Sequence, residues 1–178
     1  MTQTKTTLQM TSLQNIDRNI LSPVNPKFNR NILKMKMNDV VELQLNDPPV
    51  SLYKSYKENE EKTVDILMLM MLKFQDFYNC KSKMNREQVE ETAFLIIERH
   101  RGLNFVDIGM CLKLAKMQEK IYDRIDGGMI LGWLDLYDKT KTNLIVLERQ
   151  KQKTKQESEW SALGERTSQI SLKDWMRQ

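Results

Sequence analysis

Apolar residues recur three and four positions apart along much of the chain, which is the spacing of one face of an α-helix. This spacing predicts a short helix near residues 52–57 and longer helices over 58–79, 85–101, 104–118 and 126–157. The helix over 58–79 has the widest apolar face. We therefore expect it to lie at the centre of the fold.

Polar residues that cap helices mark where three of these helices begin. Asn85 is followed three positions later by Gln88, which is the pattern of a capping box. Asn104 with Asp107, and Asp126 further along, offer side-chain oxygens to the unpaired amide groups of a first helical turn. The sequence therefore predicts the starts of these helices.

Residues 1–47 are expected to form a flexible or partly extended N-terminal arm. The first half of this segment is polar, which is typical of a mobile terminus. Val41, Leu43 and Leu45 alternate as they would in a strand, although the residues around them also fit a helix roughly. Prolines at 48 and 49 then interrupt the chain, because proline disfavours helix at the residue before it.

The predicted fold class is all-α, a small bundle of four to five helices with a flexible N-terminal arm and a C-terminal tail. The helical domain is expected over 48–150, and residues 151–178 read as a tail that is first basic and then polar. The chain has only 6 glycines and 4 prolines. Sandwiches and barrels need many turns, so this scarcity disfavours an all-β fold.

Composition and charge narrow the class of protein further. The net charge of +4 is mildly basic and does not by itself indicate a nucleic-acid-binding protein. Cys80 and Cys111 form no paired motif, which favours a reducing, cytoplasmic compartment. The N-terminus lacks the apolar run of a signal peptide. The longest apolar run, Ile66–Leu72, is far shorter than the roughly 20 residues that a bilayer requires.

Several short patterns lie between residues 48 and 140, mostly at packing positions. They consist of Pro49, Ser51, Leu52, Tyr56, Phe77, Lys81, Lys83, Met84, Gln88, Ala93, Ile96, Ile97, Leu103, Tyr122, Asp126 and Ile130. Together these residues resemble a family of uncharacterised helical proteins found in Bacteroides genomes, their phages and other mobile elements. Family members carry a glycine-containing turn before the last helix, whereas residues 116–123 here contain no glycine. The resemblance implies a genomic setting and no particular activity.

No catalytic site can be assigned from the sequence. His100 is the only histidine, and its place in the last turn of a helix predicts a solvated, cationic imidazole. Neither Cys80 nor Cys111 has the flanking signature of a nucleophile, and three scattered residues do not make a zinc site. The pair Gly127-Gly128 fits either a phosphate contact or a tight start to a helix. We therefore predict no enzymatic activity, no metal and no cofactor.

Basic residues are concentrated near the end of the last predicted helix. Such a segment either contacts nucleic-acid phosphates without sequence specificity or is simply a solvated helix end. The candidate nucleic-acid-binding residues are Lys139, Lys141, Arg149, Lys151, Lys153 and Lys155.

The tail carries isolated apolar residues in a polar context. Trp160, Leu172, Trp175 and Met176 are the candidate partner-binding residues. Tryptophan is common in interaction hot spots, so these side chains either bind a protein partner or fold back on the helical domain.

These features predict a non-enzymatic accessory or adaptor protein of phage or mobile-element DNA metabolism. It would bind DNA weakly through the basic helix and a protein partner through the tail, without a membrane, in the bacterial host cytoplasm. The alternative prediction is a structural or packaged component of a phage particle, which would place the chain in the virion.

Overall fold

The structure, a computed structural model, describes residues 22–118, 121 and 123–175, with side chains through Ser161. Over this part of the chain all regular structure is α-helical, with seven helices and no β-strand, so the protein is all-α as predicted. The helices are α1 (Phe28–Lys34), α2 (Met37–Asn46), α3 (Leu52–Glu58), α4 (Glu60–Asp76), α5 (Arg86–Arg99), α6 (Phe105–Gln118) and α7 (Gly127–Trp175).

The number of helices exceeds the predicted four to five because two helices precede Pro48. Phe28 and Ile32 of α1 and Met35 after it are buried, and α1 and α2 pack against α6. At Gly109 of α6, the position of an added Cβ lies 3.2 Å from Ile32 Cγ1. Part of the expected N-terminal arm therefore belongs to the packed structure, because α6 offers it an apolar surface with a close approach.

Helix α4 lies at the centre of the core, as its wide apolar face predicts. It packs against α3, α5 and α6, and Leu67, Met71 and Phe74 are almost completely buried. The aromatic ring of Phe74 also meets that of Trp133 on α7 edge to face, with 5.6 Å between ring centroids. Burial of such side chains stabilises the fold by about 1.5 to 3 kcal/mol each relative to exposure.

The predicted helix caps form with good geometry. The amide of Gln88 donates to Asn85 Oδ1 over 2.8 Å, and the amide of Asn85 donates to Gln88 Oε1 over 3.0 Å. Asn104 and Asp107 make the same reciprocal pair at the start of α6. The amide of Met129 donates to the predicted cap of α7, Asp126 Oδ1, over 2.9 Å.

Two loops are held by hydrogen bonds from more distant parts of the chain. The buried side-chain amide of Gln75 bonds the backbone of Met84 twice. Its Nε2 atom donates to the Met84 carbonyl and its Oε1 atom accepts from the Met84 backbone amide, each over 3.2 Å. The same loop makes a short parallel bridge: Ser82 donates to the Asp123 carbonyl over 3.0 Å, and Ile125 donates to the Ser82 carbonyl over 3.1 Å. The loops before α5 and α7 are thereby tied together.

The chain divides into two units, Met1–Thr140 and Lys141–Gln178. In the second unit α7 continues to Trp175, so most of the expected tail is helical. The side chains from Arg149 to Ser161 are all exposed. Ion pairs one helical turn apart support this helix. They join Lys151 to Glu148, Lys153 to Glu157 and Lys155 to Glu159, at 3.4, 3.8 and 4.0 Å.

Candidate functional surfaces

His100 is buried, which corrects the prediction of a solvated imidazole. It caps the C-terminus of α5 and is only 4% exposed. Its Nε2 atom lies 3.5 Å from Asp135 Oδ1, without hydrogen-bond geometry, and its Nδ1 atom lies 3.9 Å from Asp138 Oδ2. Burial lowers the pKa of His100, and this effect outweighs the two carboxylates, which raise it. The imidazole is therefore neutral at neutral pH and not cationic.

The cysteines do not complete a catalytic site with this histidine. Cys111 is buried in the core, and burial raises the pKa of its thiol to about 12. Cys80 is half-buried, and its Sγ atom lies 3.5 Å from the carbonyl oxygen of Ser82. Among the residues that the structure describes, no group of three or more His, Cys, Asp and Glu side chains could hold a metal ion.

The buried imidazole predicts a specific loss of stability in acid. Because its pKa is lowered on folding, the unfolded chain takes up this proton at higher pH than the native protein does. The contribution of neutral His100 to stability is complete above its ordinary pKa of about 6.5 and decreases as the pH falls below that value. We expect the Tm to fall further in the native protein than in a His100→Gln variant between about pH 7.5 and about pH 5.5.

Thermal unfolding followed by circular dichroism at several pH values checks this expectation. The comparison uses the slope of Tm against pH, because the substitution itself also changes the baseline stability. The other titrating groups are the same in both proteins. Parallel slopes in the two proteins would contradict the assignment of a lowered pKa to His100.

Gly127 at the start of α7 allows a close approach to α5. A Cβ atom at Gly127 would lie well inside van der Waals contact of Thr92 Oγ1, on the facing side of α5. The Thr92 hydroxyl in turn donates to the Gln88 carbonyl over 2.6 Å. Of the two interpretations of Gly127-Gly128, a tight start to the helix therefore has a direct geometric cause.

Five of the six candidate nucleic-acid-binding side chains are exposed, namely Lys139, Arg149, Lys151, Lys153 and Lys155. The sixth, Lys141, is only 4% exposed, so it is not part of an exposed basic surface. Lys151 and Lys155 lie four residues apart and share one side of α7, whereas Arg149 and Lys153 share the other side. The positive charges therefore form two short rows and not one stripe.

Trp160 is the one candidate partner-binding residue whose side chain the structure describes. It is 70% exposed in a helical segment that is otherwise polar. Leu172 and Trp175 lie on α7, but their side chains are outside the described part of the chain, as is all of Met176.

A cleft beside α3 and α4 was not apparent from the sequence. It has a volume of about 420 Å³ and is lined mainly by apolar side chains. Leu43, Val50, Ile66, Phe105 and Val106 are among the apolar residues of this lining. Pro48 and Pro49 are part of the lining, and the sequence indicated only that they break the chain. The cleft could not be predicted from them, because residues of α4 and α6 also form its walls.

Comparison with protein-family models, curated proteins and solved structures finds no match for this chain. Within the described residues, no helix is both long and apolar enough to cross a membrane.

Proposed function

We propose that the protein is a non-enzymatic adaptor of phage or mobile-element DNA metabolism. In this proposal the basic segment of α7 contacts nucleic acid and Trp160 contacts a protein partner. The observation that supports it best is the exposed helix from Arg149 to Ser161, because a helix with no apolar face of its own gains little from burial against the same chain.

The arrangement of charge favours contact with the phosphate backbone over recognition of bases. Arg149 and Lys153 can meet phosphates from one side of the helix, and Lys151 and Lys155 from the other. Since the ion pairs of Lys151, Lys153 and Lys155 with glutamates are exposed, each contributes at most about 1 kcal/mol and can be exchanged for phosphate. Binding is therefore expected to be weak and sensitive to salt.

Trp160 supports the second half of the proposal. A tryptophan that remains mostly in solvent exposes a large apolar area, and burial of such a side chain at an interface is a common source of binding energy. It follows the basic residues on the same helix. One helical segment can thus hold a nucleic acid and a protein at neighbouring positions.

We expect fluorescence anisotropy to show binding of labelled single- or double-stranded DNA. The affinity should decrease with salt concentration as steeply as about two to three phosphate contacts require. A variant with five substitutions to glutamine should bind DNA about tenfold or more weakly than the native chain at low salt. It replaces Lys139, Arg149, Lys151, Lys153 and Lys155.

The matched control carries the same change in net charge on other exposed lysines. It replaces Lys27, Lys34, Lys54, Lys73 and Lys81 by glutamine. Binding that the two variants weaken equally would reveal a general charge effect and would reject the α7 segment as the site. If the native chain binds neither form of DNA, the proposal fails and the virion component becomes the better candidate. Mass spectrometry of purified particles would then test that alternative.

A further inference from the structure

The cleft beside α3 and α4 is part of a longer apolar groove within the Met1–Thr140 unit. A second, shallow and largely open depression of about 370 Å³ adjoins it. The two cavities share Val24, Asn59, Lys62 and Ile66, and the second one ends at Leu69. We call this continuous surface the α4 groove. It follows α4 for about 15 Å from Asn59 to Leu69.

Several apolar side chains along the α4 groove are left in solvent by the fold. Val24 is 62% exposed, Val50 is 49% exposed and Leu69 is 48% exposed. A single exposed apolar residue is ordinary, but neighbouring ones that line a concave surface are typical of a binding site. The α4 groove therefore has the shape and the apolar surface to receive side chains of another molecule.

The charges around the groove select the occupant. The lining contains four acidic residues, Asp47, Glu58, Glu61 and Asp65, and one basic residue, Lys62. In the described part of the chain, no basic side chain lies within ion-pair distance of Glu58, Glu61 or Asp65. The groove thus combines an apolar floor with a negative rim at Glu58, Glu61 and Asp65, and none of these three carboxylates forms an ion pair with another described residue.

We propose that the α4 groove binds an amphipathic, positively charged peptide segment of a partner protein. Apolar side chains of that segment enter the two cavities, and its lysines or arginines face Glu58, Glu61 and Asp65. Ile66 and Leu69 in the floor of the groove lie about one helical turn apart. Apolar residues three or four positions apart on a bound helix have the same spacing and can therefore contact both. This inference does not depend on nucleic-acid binding by α7.

The test uses three synthetic helical peptides of equal length, titrated into the full chain labelled with ¹⁵N. One peptide combines a leucine face with lysines, the second replaces its lysines by glutamates, and the third replaces its leucines by serines. We expect the first to bind with chemical-shift changes confined to the groove, and the other two to bind about tenfold more weakly or not at all.

Variants of the protein locate the site. Replacing Val24 and Leu69 by serine should weaken binding of the leucine–lysine peptide about tenfold. The control variant replaces Leu33 and Leu95 by serine, and these residues are 62% and 48% exposed outside the groove. Its affinity for the leucine–lysine peptide should be unchanged. All four side chains are exposed enough that the variants should fold.

Charge variants separate the rim from the floor. Glu61→Gln together with Asp65→Asn should weaken binding and reduce its dependence on salt. The proposal is overturned if the glutamate peptide binds as well as the lysine peptide. It is also overturned if the leucine–lysine peptide does not bind, or if the serine variants in the groove and outside it behave alike.

Discussion

Replacing Gln75 by leucine is expected to lower the free energy of unfolding by about 2 to 4 kcal/mol. The side chain of Gln75 is 3% exposed and hydrogen-bonds both the amide and the carbonyl of Met84. Leucine fills nearly the same volume but leaves both backbone groups buried without a partner. The free energy of unfolding falls because two buried polar groups lose their hydrogen bonds. Burial of the extra apolar surface of leucine offsets this loss only partly.

Urea unfolding measures this loss, with Gln150→Leu as the matched control because Gln150 is exposed on α7. Hydrogen exchange gives a local readout as well, since the Met84 amide should lose its protection before the core amides do. A change below about 1 kcal/mol would show that water or a shift of the loop replaces the lost bonds.

The second large effect is expected at Gly127, where alanine should destabilise the protein by about 2 to 3 kcal/mol. The added methyl group would collide with Thr92 Oγ1, and the Thr92 side chain is 4% exposed and bonded to the Gln88 carbonyl. Either Thr92 gives up this position or α5 and the start of α7 move apart. Both outcomes cost packing energy.

A double-mutant cycle tests this cause directly. Thr92→Ala removes the colliding hydroxyl, so Gly127→Ala should cost much less in that background. Gly132→Ala is the control, because nothing lies within 4 Å of a Cβ atom at that helical position. It should stabilise the protein by about 0.5 to 1 kcal/mol. Additive effects of the Thr92 and Gly127 substitutions would contradict the collision.

The sequence predicted those features that depend on neighbours in the chain. The caps at Asn85, Asn104 and Asp126 were predictable because each bonds an amide two or three positions away. The central position of α4 followed from the width of its apolar face. Helix α2 was not predicted, because the strand-like alternation of Val41 and Leu43 competed with the helical spacing of the same segment. Helix α1 has only seven residues and no side-chain cap, so it left no clear helical pattern in the sequence.

The surfaces were only partly predictable, because they depend on contacts between separate elements. His100 at the end of α5 was expected to be solvated, but the fold buries it close to Asp135 and Asp138 of α7. Lys141 follows the buried Tyr137 by four positions, a spacing that could have marked it as lying on a buried face. The α4 groove had no sequence signal, because segments far apart in the chain form its walls.

The different burial of the two cysteines gives the protein an internal reporter of its own opening. Cys111 is 3% exposed with a thiol pKa raised to about 12, whereas Cys80 is half-buried in the loop that bridges to Ile125. An alkylating reagent can reach Cys80 through small motions of that loop, but it reacts with Cys111 only when the core opens and the thiol ionises in water. When the domain closes faster than the reagent reacts, the rate of alkylation at Cys111 therefore reports the equilibrium between the closed and open domain, without any engineered label.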